Sequence, residues 1–367
     1  LIKIKEKRRK NHMEFRIQKQ SIELILISLQ PFLEKKDTSQ ITSHILFEIS
    51  NQESTIKATD TEIGLEIKSD EFEVFSEGKF TANGKKILDI IRTLKNGEIN
   101  FFLNDEVIEI KQKHSSFKLP IFNPDEFPEF PKAENRPKIS LDSALLIKNF
   151  KKITPSIDTN NPKYELNGAL INIDLEKTEI VATDTRRMSI ATINKPSTQE
   201  LEIIIPKKAI LELQKLFLDE IEILYDETTL MVKEQNMLFF TRLINGRFPD
   251  YERIIPLNPK YEFRLPKKEM IDSIKMVTTI SHDIKISFSK ELVKFSSLSI
   301  DNIEAKTEID LDTGLDEEVE ISLNSRYLLD FLNNIDSEEF EIGINSSTLP
   351  FIVKDGDFVT VIMPIVA

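Results

Sequence analysis

The sequence predicts an α+β fold of three similar domains, each with two helices packed on antiparallel sheets. Three observations carry this. Strand-to-helix openings recur at a fixed interval, a second helical pattern recurs later in each copy, and short alternating strands fill the space between. Phe15, Ile139 and Phe263 stand 124 residues apart, within Glu14-Phe15-Arg16-Ile17, Lys138-Ile139-Ser140-Leu141 and Glu262-Phe263-Arg264-Leu265. That interval is far too long for a solenoid unit, so whole domains are the better account.

The helices follow in order. Ile22, Leu146 and Met270 keep the same interval, each with apolar partners further on: Leu26 and Leu29, Phe150 and Ile153, Ile274 and Val277. Such spacing lays one apolar stripe along a helix that packs on a sheet. The second helix carries Ile87, Ile90, Ile91 and Leu94 in copy one, and Leu328, Phe331, Leu332 and Ile335 in copy three. Copy two has Ile210, Leu213 and Phe217, with polar Gln214 at the remaining place. The patterns predict helices over 20–36, 83–96, 142–152, 206–218, 266–277 and 324–335.

Between them lie strands such as Ser43-His44-Ile45-Leu46-Phe47-Glu48-Ile49 and Glu179-Ile180-Val181-Ala182-Thr183. Ala58-Thr59-Asp60-Thr61 reappears as Ala182-Thr183-Asp184-Thr185. Copies one and two close on matching segments, Phe117 to Phe130 and Leu243 to Pro256. In the second of these, Asn245-Gly246 suits a turn with positive φ, and Phe248-Pro249 holds the chain extended. The expected domains are 13–134, 135–257 and 258–367, after a basic extension at 1–12 whose plainest reading is a frayed start.

Composition narrows the function classes. The 367 residues are 40% apolar with 9 Gly and 16 Pro, which describes packed globular domains. No cysteine is present, so disulfides and thiolate metal sites are excluded, and a reducing compartment is expected. No run has the length of a membrane span, and the basic start is not followed by a signal-peptide core. A cytoplasmic protein with no membrane association is the expectation.

Net charge is −13, which argues against a protein that simply coats nucleic acid. The predicted helices nevertheless hold more Lys and Arg than Asp and Glu, so the acidic excess falls on strands and loops. Lysine pairs open several helices: Lys85-Lys86, Lys207-Lys208 and Lys267-Lys268. Lysine there opposes the helix dipole, so its recurrence points to a purpose beyond helix formation. A basic helical surface on an acidic body suits a polyanion held in one place and repelled elsewhere. The plainer reading is a solvated helix face.

Catalytic and metal constellations fail on spacing. His12, His44, His114 and His282 are scattered, and no metal or cofactor is expected. Gly78 to Lys86 is too long for a phosphate loop and lacks the Ser or Thr after lysine. Asp310 to Glu318 misses the calcium-loop pattern. No Ser/His/Asp set has a nucleophile elbow, and an enzyme is not expected.

Taken together, Lys163-Tyr-Glu-Leu-Asn-Gly-Ala-Leu170, Val181-Ala-Thr-Asp-Thr-Arg-Arg-Met188, Asn245 to Pro256, and Val361-Ile-Met-Pro-Ile365 carry a resemblance. From Met13 onward the chain resembles the bacterial sliding clamp family, the beta subunit of DNA polymerase III. The resemblance implies a head-to-tail homodimer, a closed six-domain ring whose helices line a hole around double-stranded DNA without reading its sequence. It implies DNA contacts at Lys36, Lys85, Asn160 and Tyr164. It also implies a pocket for short apolar peptides of the replicative polymerase catalytic subunit, the clamp loader, other polymerases and repair proteins. The matching pocket positions are Leu166, Thr183, Thr185, Arg186, Arg187, Met188, Pro249, Arg253, Ile254, Pro350, Val361, Met363, Pro364 and Ile365. An apolar floor, adaptable methionines and arginines at the rim make a credible groove. The ring closure is expected to use Lys86, Phe117 and Leu119 on one side, and Ile280 and Glu304 on the other. Two other classes were weighed: an enzyme acting on phosphates or nucleic acid, and a three-domain adaptor that binds peptides but no DNA.

Overall fold

The computed structural model describes residues 12–139, 141–217, 221–298 and 303–366. All of the basic extension except His12 therefore lies outside the described residues. The chain forms two compact units, 1–139 with 220–242, and 140–219 with 243–367.

In the first unit, strand His12–Gln18 is flanked by Glu73–Ser76 and Glu98–Asn104, and Val107–Gln112 and Ser115–Pro120 complete a five-stranded antiparallel sheet. Alternation along Glu98–Asn104 puts Ile99, Phe101 and Leu103 on the buried side. Phe101 stacks on its register partner Phe15 at 4.6 Å between centroids. A second sheet runs Glu222–Tyr225, Thr229–Glu234, Met237–Arg242, Ile63–Ser69, Ser54–Thr59, His44–Ile49, Gly78–Asn83. Three of its strands come from copy two and four from copy one. This is why 220–242 packs with the first unit.

The second unit repeats the arrangement. Its large sheet runs Leu201–Pro206, Gly168–Ile173, Thr178–Thr183, Arg187–Ile193, Phe358–Ile362, Phe351–Asp355, Glu339–Ile344, Tyr261–Pro266, again joining two copies. A four-stranded sheet of Lys306–Asp310, Leu292–Ser297, Asp283–Ser289 and Val319–Asn324 completes it.

Six α-helices lie among the described residues: α1 (Lys19–Leu29), α2 (Gly84–Thr93), α3 (Ser143–Ile153), α4 (Lys207–Leu216), α5 (Lys267–Val277) and α6 (Ser325–Leu332). The predicted stripes are the buried ones, such as Ile22, Leu26 and Leu29 on α1 and Met270, Ile274 and Val277 on α5. Asn83, Asp142 and Asn324 cap α2, α3 and α6 by accepting from backbone N–H groups of the first turn.

Four sequence expectations are corrected. Helix α1 stops at Leu29 rather than reaching residue 36, because Pro31 opens a short 3₁₀ turn, Gln30–Phe32. Among the described residues, the opening strand of copy two is a single bridge, Lys138 to Leu224, where the preceding Pro137 offers a carbonyl to Tyr225 but has no N–H for a ladder. Asn245 and Gly246 do not adopt positive φ. A Cβ on Gly246 would make ordinary contact with the Glu165 side chain at 3.5 Å, so neither turn geometry nor packing calls for glycine there.

The fourth concerns the lysines that start helices. Lys267 of α5 donates to the Ile335 carbonyl beyond α6 at 2.8 Å, and Lys207 of α4 to the Ile157 carbonyl beyond α3 at 2.6 Å. Lys19 of α1 makes a longer bond, 3.4 Å, to the Arg92 carbonyl near the end of α2. In each copy a lysine at one helix start satisfies a carbonyl at its partner's end, the ammonium sitting at the negative pole of the neighbouring dipole. Helix pairing thus accounts for Lys207 and Lys267, whereas Lys85 and Lys86 remain exposed.

Candidate functional site

The functional geometry is built by two hairpin turns of one design. In copy one, Thr59 Oγ1 donates to the Ile63 carbonyl (2.7 Å), Thr61 N donates to Thr59 Oγ1, and Asp60 Oδ1 accepts from the N–H groups of Glu62 and Ile63. In copy two, Thr183 bonds the Arg187 carbonyl (2.7 Å), Thr185 N donates to Thr183, and Asp184 accepts from Arg186 and Arg187. Both turns force a threonine to positive φ, 79° at Thr61 and 71° at Thr185.

Each hairpin then pairs with the last strand of the next copy, and here the two part company. Gly64 faces Phe240, whose ring covers the glycine so closely that a Cβ there would meet it at 2.2 Å. At the corresponding register in the second unit, Met188 faces Val361. A glycine under a phenylalanine fills the first joint at this register. Met188 and Val361, both buried, hold the same places in the second.

The second joint has an apolar floor of Leu166, Met188 and Val361, packed with Leu170, Val181, Ile190, Ile204, Ile244, Phe248, Tyr251 and Ile352. Above it, Ile254 is 46% exposed, Met363 40% and Ile365 36%, while Thr185, Arg186 and Arg253 are also exposed. Pro249 and Ile254 are carried by the connector whose Phe248 and Tyr251 enter the floor, and Tyr251 donates to Glu179 at 2.8 Å. Burial, first of all, pushes the Tyr251 hydroxyl well above its ordinary range, so it stays a donor. Phe351 pairs with Ile362, which sets Pro350 beside the Ile362–Met363 end. Pro364 is half-buried in a tail fixed by two backbone bonds, Met363 N to the Arg186 carbonyl (2.9 Å) and Ile365 N to the Ser322 carbonyl (2.7 Å). Of the predicted pocket residues, Leu166, Met188 and Val361 thus share one packed cluster, Met363 is tied to the Arg186 carbonyl, and Thr185, Arg186, Arg253 and Ile254 are exposed.

Arg187 is placed differently from the rest. Its side chain is only 8% exposed and is engaged on every nitrogen. Nε donates to Asp184 (3.1 Å), Nη1 to Asp330 of α6 (2.6 Å) and Nη2 to the Pro155 carbonyl (2.5 Å), and its face covers the Tyr327 ring at 4.7 Å. Sequence reasoning did not find Asp330 and Tyr327, which are distant in the chain and match no motif. Nor did it find the buried partners Glu179 and Ile352.

The expected DNA-contact positions are solvent-facing. Lys85 is exposed in the first turn of α2, and Lys36 is exposed beyond the 3₁₀ turn after α1. Asn160, at φ 64°, and Tyr164, 60% exposed, sit on one loop. Asn161 pins that loop by bonds to Asp158, Lys163 and Asn167. The same loop ends at Leu166 in the groove floor. Of the expected closure residues, Lys86, Ile280 and Glu304 are exposed, Phe117 is half-buried, and Leu119 is buried in its own sheet. Phe117 lies on the edge strand Ser115–Pro120, and Glu304 lies two residues before the edge strand Lys306–Asp310.

No helix among the described residues is long and apolar enough to cross a membrane. Comparison with known proteins covers nearly the whole chain. Family models described as the N-terminal, central and C-terminal domains of the DNA polymerase III beta subunit match residues 13–131, 140–250 and 252–366. A "Beta sliding clamp" of Helicobacter pylori is 37% identical over 354 residues, covering 94% of each chain. One of Staphylococcus aureus is 26% identical over 375 residues, 96% of this chain and 99% of that one. The crystal structure of the Helicobacter pylori beta clamp bound to a DNA ligase peptide superposes with a TM-score of 0.89 at 36% identity, covering 96% of this chain and all of that one. The fold of the Pseudomonas aeruginosa beta subunit is similar, with a TM-score of 0.89 at 23% identity.

Proposed function

The chain belongs to the DNA polymerase III beta subunit family, the sliding clamps, which are processivity factors and not enzymes, and from that premise we propose how this member works. Three domains with limits near 13–134, 135–257 and 258–367 form half of a six-domain ring, and two chains close head to tail around duplex DNA in the cytoplasm. The observation that carries this reading is an acidic chain that keeps exposed lysines, Lys36 and Lys85, on and beside its helices. Asn160 and Tyr164 add a pinned loop. Contacts of this kind position a duplex without reading its bases, and because the ring holds by topology they can stay weak enough to slide.

Ring closure pairs the free edge Ser115–Pro120 of one chain with Lys306–Asp310 of the other, with Lys86, Phe117, Leu119, Ile280 and Glu304 at the seam. Pairing would satisfy and protect both edges. The groove of Leu166, Met188, Val361, Ile254 and Met363 receives an apolar peptide from the polymerase, the loader and repair proteins. Its support is the combination of exposed apolar side chains above a packed floor and the peptide-bound relative.

The experiment is retention on DNA. Clamps loaded on nicked circles should survive gel filtration and fall off once the circle is cut. A protein that binds peptides yet is never retained on the intact circle, or that stays on the linear product, overturns the ring.

A further inference from the structure

We propose that Arg187 is a positioning residue that braces the peptide groove from the helix side and does not itself touch the peptide. This rests on the reading of the groove as the peptide site. Arg187 stands between the Thr183–Arg187 turn and the floor residue Met188, where a rim arginine would meet a ligand. Its guanidinium points elsewhere. All three nitrogens have partners, one face is covered by Tyr327 and the side chain is 8% exposed, which leaves little of the group to meet a peptide.

The partners show what the side chain does instead. Asp184 belongs to the turn, Pro155 to the 3₁₀ turn after α3, and Asp330 and Tyr327 to α6 of the next copy. One side chain thus fixes the turn against two helices from different copies. The turn in turn holds the tail, because the Arg186 carbonyl accepts the Met363 N–H. The chain of contacts runs from Asp330 through Arg187 and the turn to Met363, an exposed side chain of the groove. Removing Asp330 leaves the nearly buried Arg187 with Asp184 as its remaining counter-charge, and removing Arg187 frees the turn from the half-exposed Asp330 of α6. The turn and Met363 then lose their fixed positions.

The test measures binding of a fluorescein-labelled DNA ligase peptide, the one seen in the Helicobacter pylori complex, to the full-length clamp by anisotropy. Measurements are made well below the melting temperature of every variant. Arg187→Met should weaken binding about tenfold and Asp330→Ala about threefold, with the double variant no weaker than Arg187→Met alone, as expected for two residues acting as one unit. Arg187→Lys, which can still reach Asp330, should recover part of the affinity. Faster hydrogen exchange at the Met363 amide in both single variants would report the loosened tail directly. If Asp330→Ala binds the peptide like the parent while Arg187→Met does not, Arg187 contacts the peptide and the proposal fails. It fails equally if both variants bind normally. If Arg187→Met does not fold, the Arg187→Lys and Asp330→Ala pair decides by the same criterion. A parent protein that does not bind the peptide at all would instead refute the groove reading.

Discussion

At the scale of single residues, the chain places polar groups where their protonation is decided by packing. His44 is buried, stacks on Phe122 at 4.0 Å between centroids, and lies 3.2 Å from Thr81 Oγ1. Burial, with a smaller contribution from the Lys86 charge, lowers its pKa from 6.5 to about 4. The folded protein therefore keeps the imidazole neutral while the unfolded chain takes up a proton, so this residue's contribution to stability is complete above pH 6.5 and fades as pH falls toward 4. Thermal melts at pH 7 and pH 4.5 should show a smaller acid-induced loss in His44→Phe than in the parent. An equal loss would mean His44 is not held neutral. The residues that build the apolar floor were legible in the sequence because motif and burial agree. Arg187 was legible as a position but not as a role, since a guanidinium's partners are set by the fold and leave no trace in local spacing.

At the scale of elements, the helices were the clearest part of the sequence. Their stripes have a period that nothing else in the chain imitates, and the misjudged end of α1 came from discounting Pro31. The lysines at helix starts misled because charge by itself does not say which way a side chain turns. Lys207 and Lys267 turn onto carbonyls, whereas Lys85 remains exposed. The paired hairpin turns carry the element-scale prediction. A β-branched residue at positive φ is strained by about 1 kcal/mol or more. Thr61→Gly, which keeps the backbone bond to Thr59, should raise the melting temperature of the clamp by a few degrees, the stabilisation being about 1 kcal/mol or less after glycine's larger unfolded-state entropy. A lowered melting temperature would show that the threonine side chain contributes more than its backbone costs.

At the scale of the molecule, the threefold repeat was readable from intervals alone, but sheet sharing was not. Strands of copy two complete the sheet of copy one, and strands of copy three complete that of copy two, through pairings far apart in the chain. Periodicity reports which face of a strand is buried and is silent about its neighbour. The basic helices supply the molecular prediction. Lys85→Glu should shorten residence on circular DNA, with a larger effect at low salt than at high salt, because exposed charges are screened as ionic strength rises. A loss independent of salt would mean that Lys85 does not meet phosphate.

The phenylalanine ring lying over Gly64 has a consequence for traffic on the clamp. On the reading proposed above, the joint between copies two and three takes the peptide, and the ring over Gly64 leaves the joint between copies one and two without an equivalent opening. Each chain would then offer one berth, and proteins sharing the same stretch of DNA would have to queue for it.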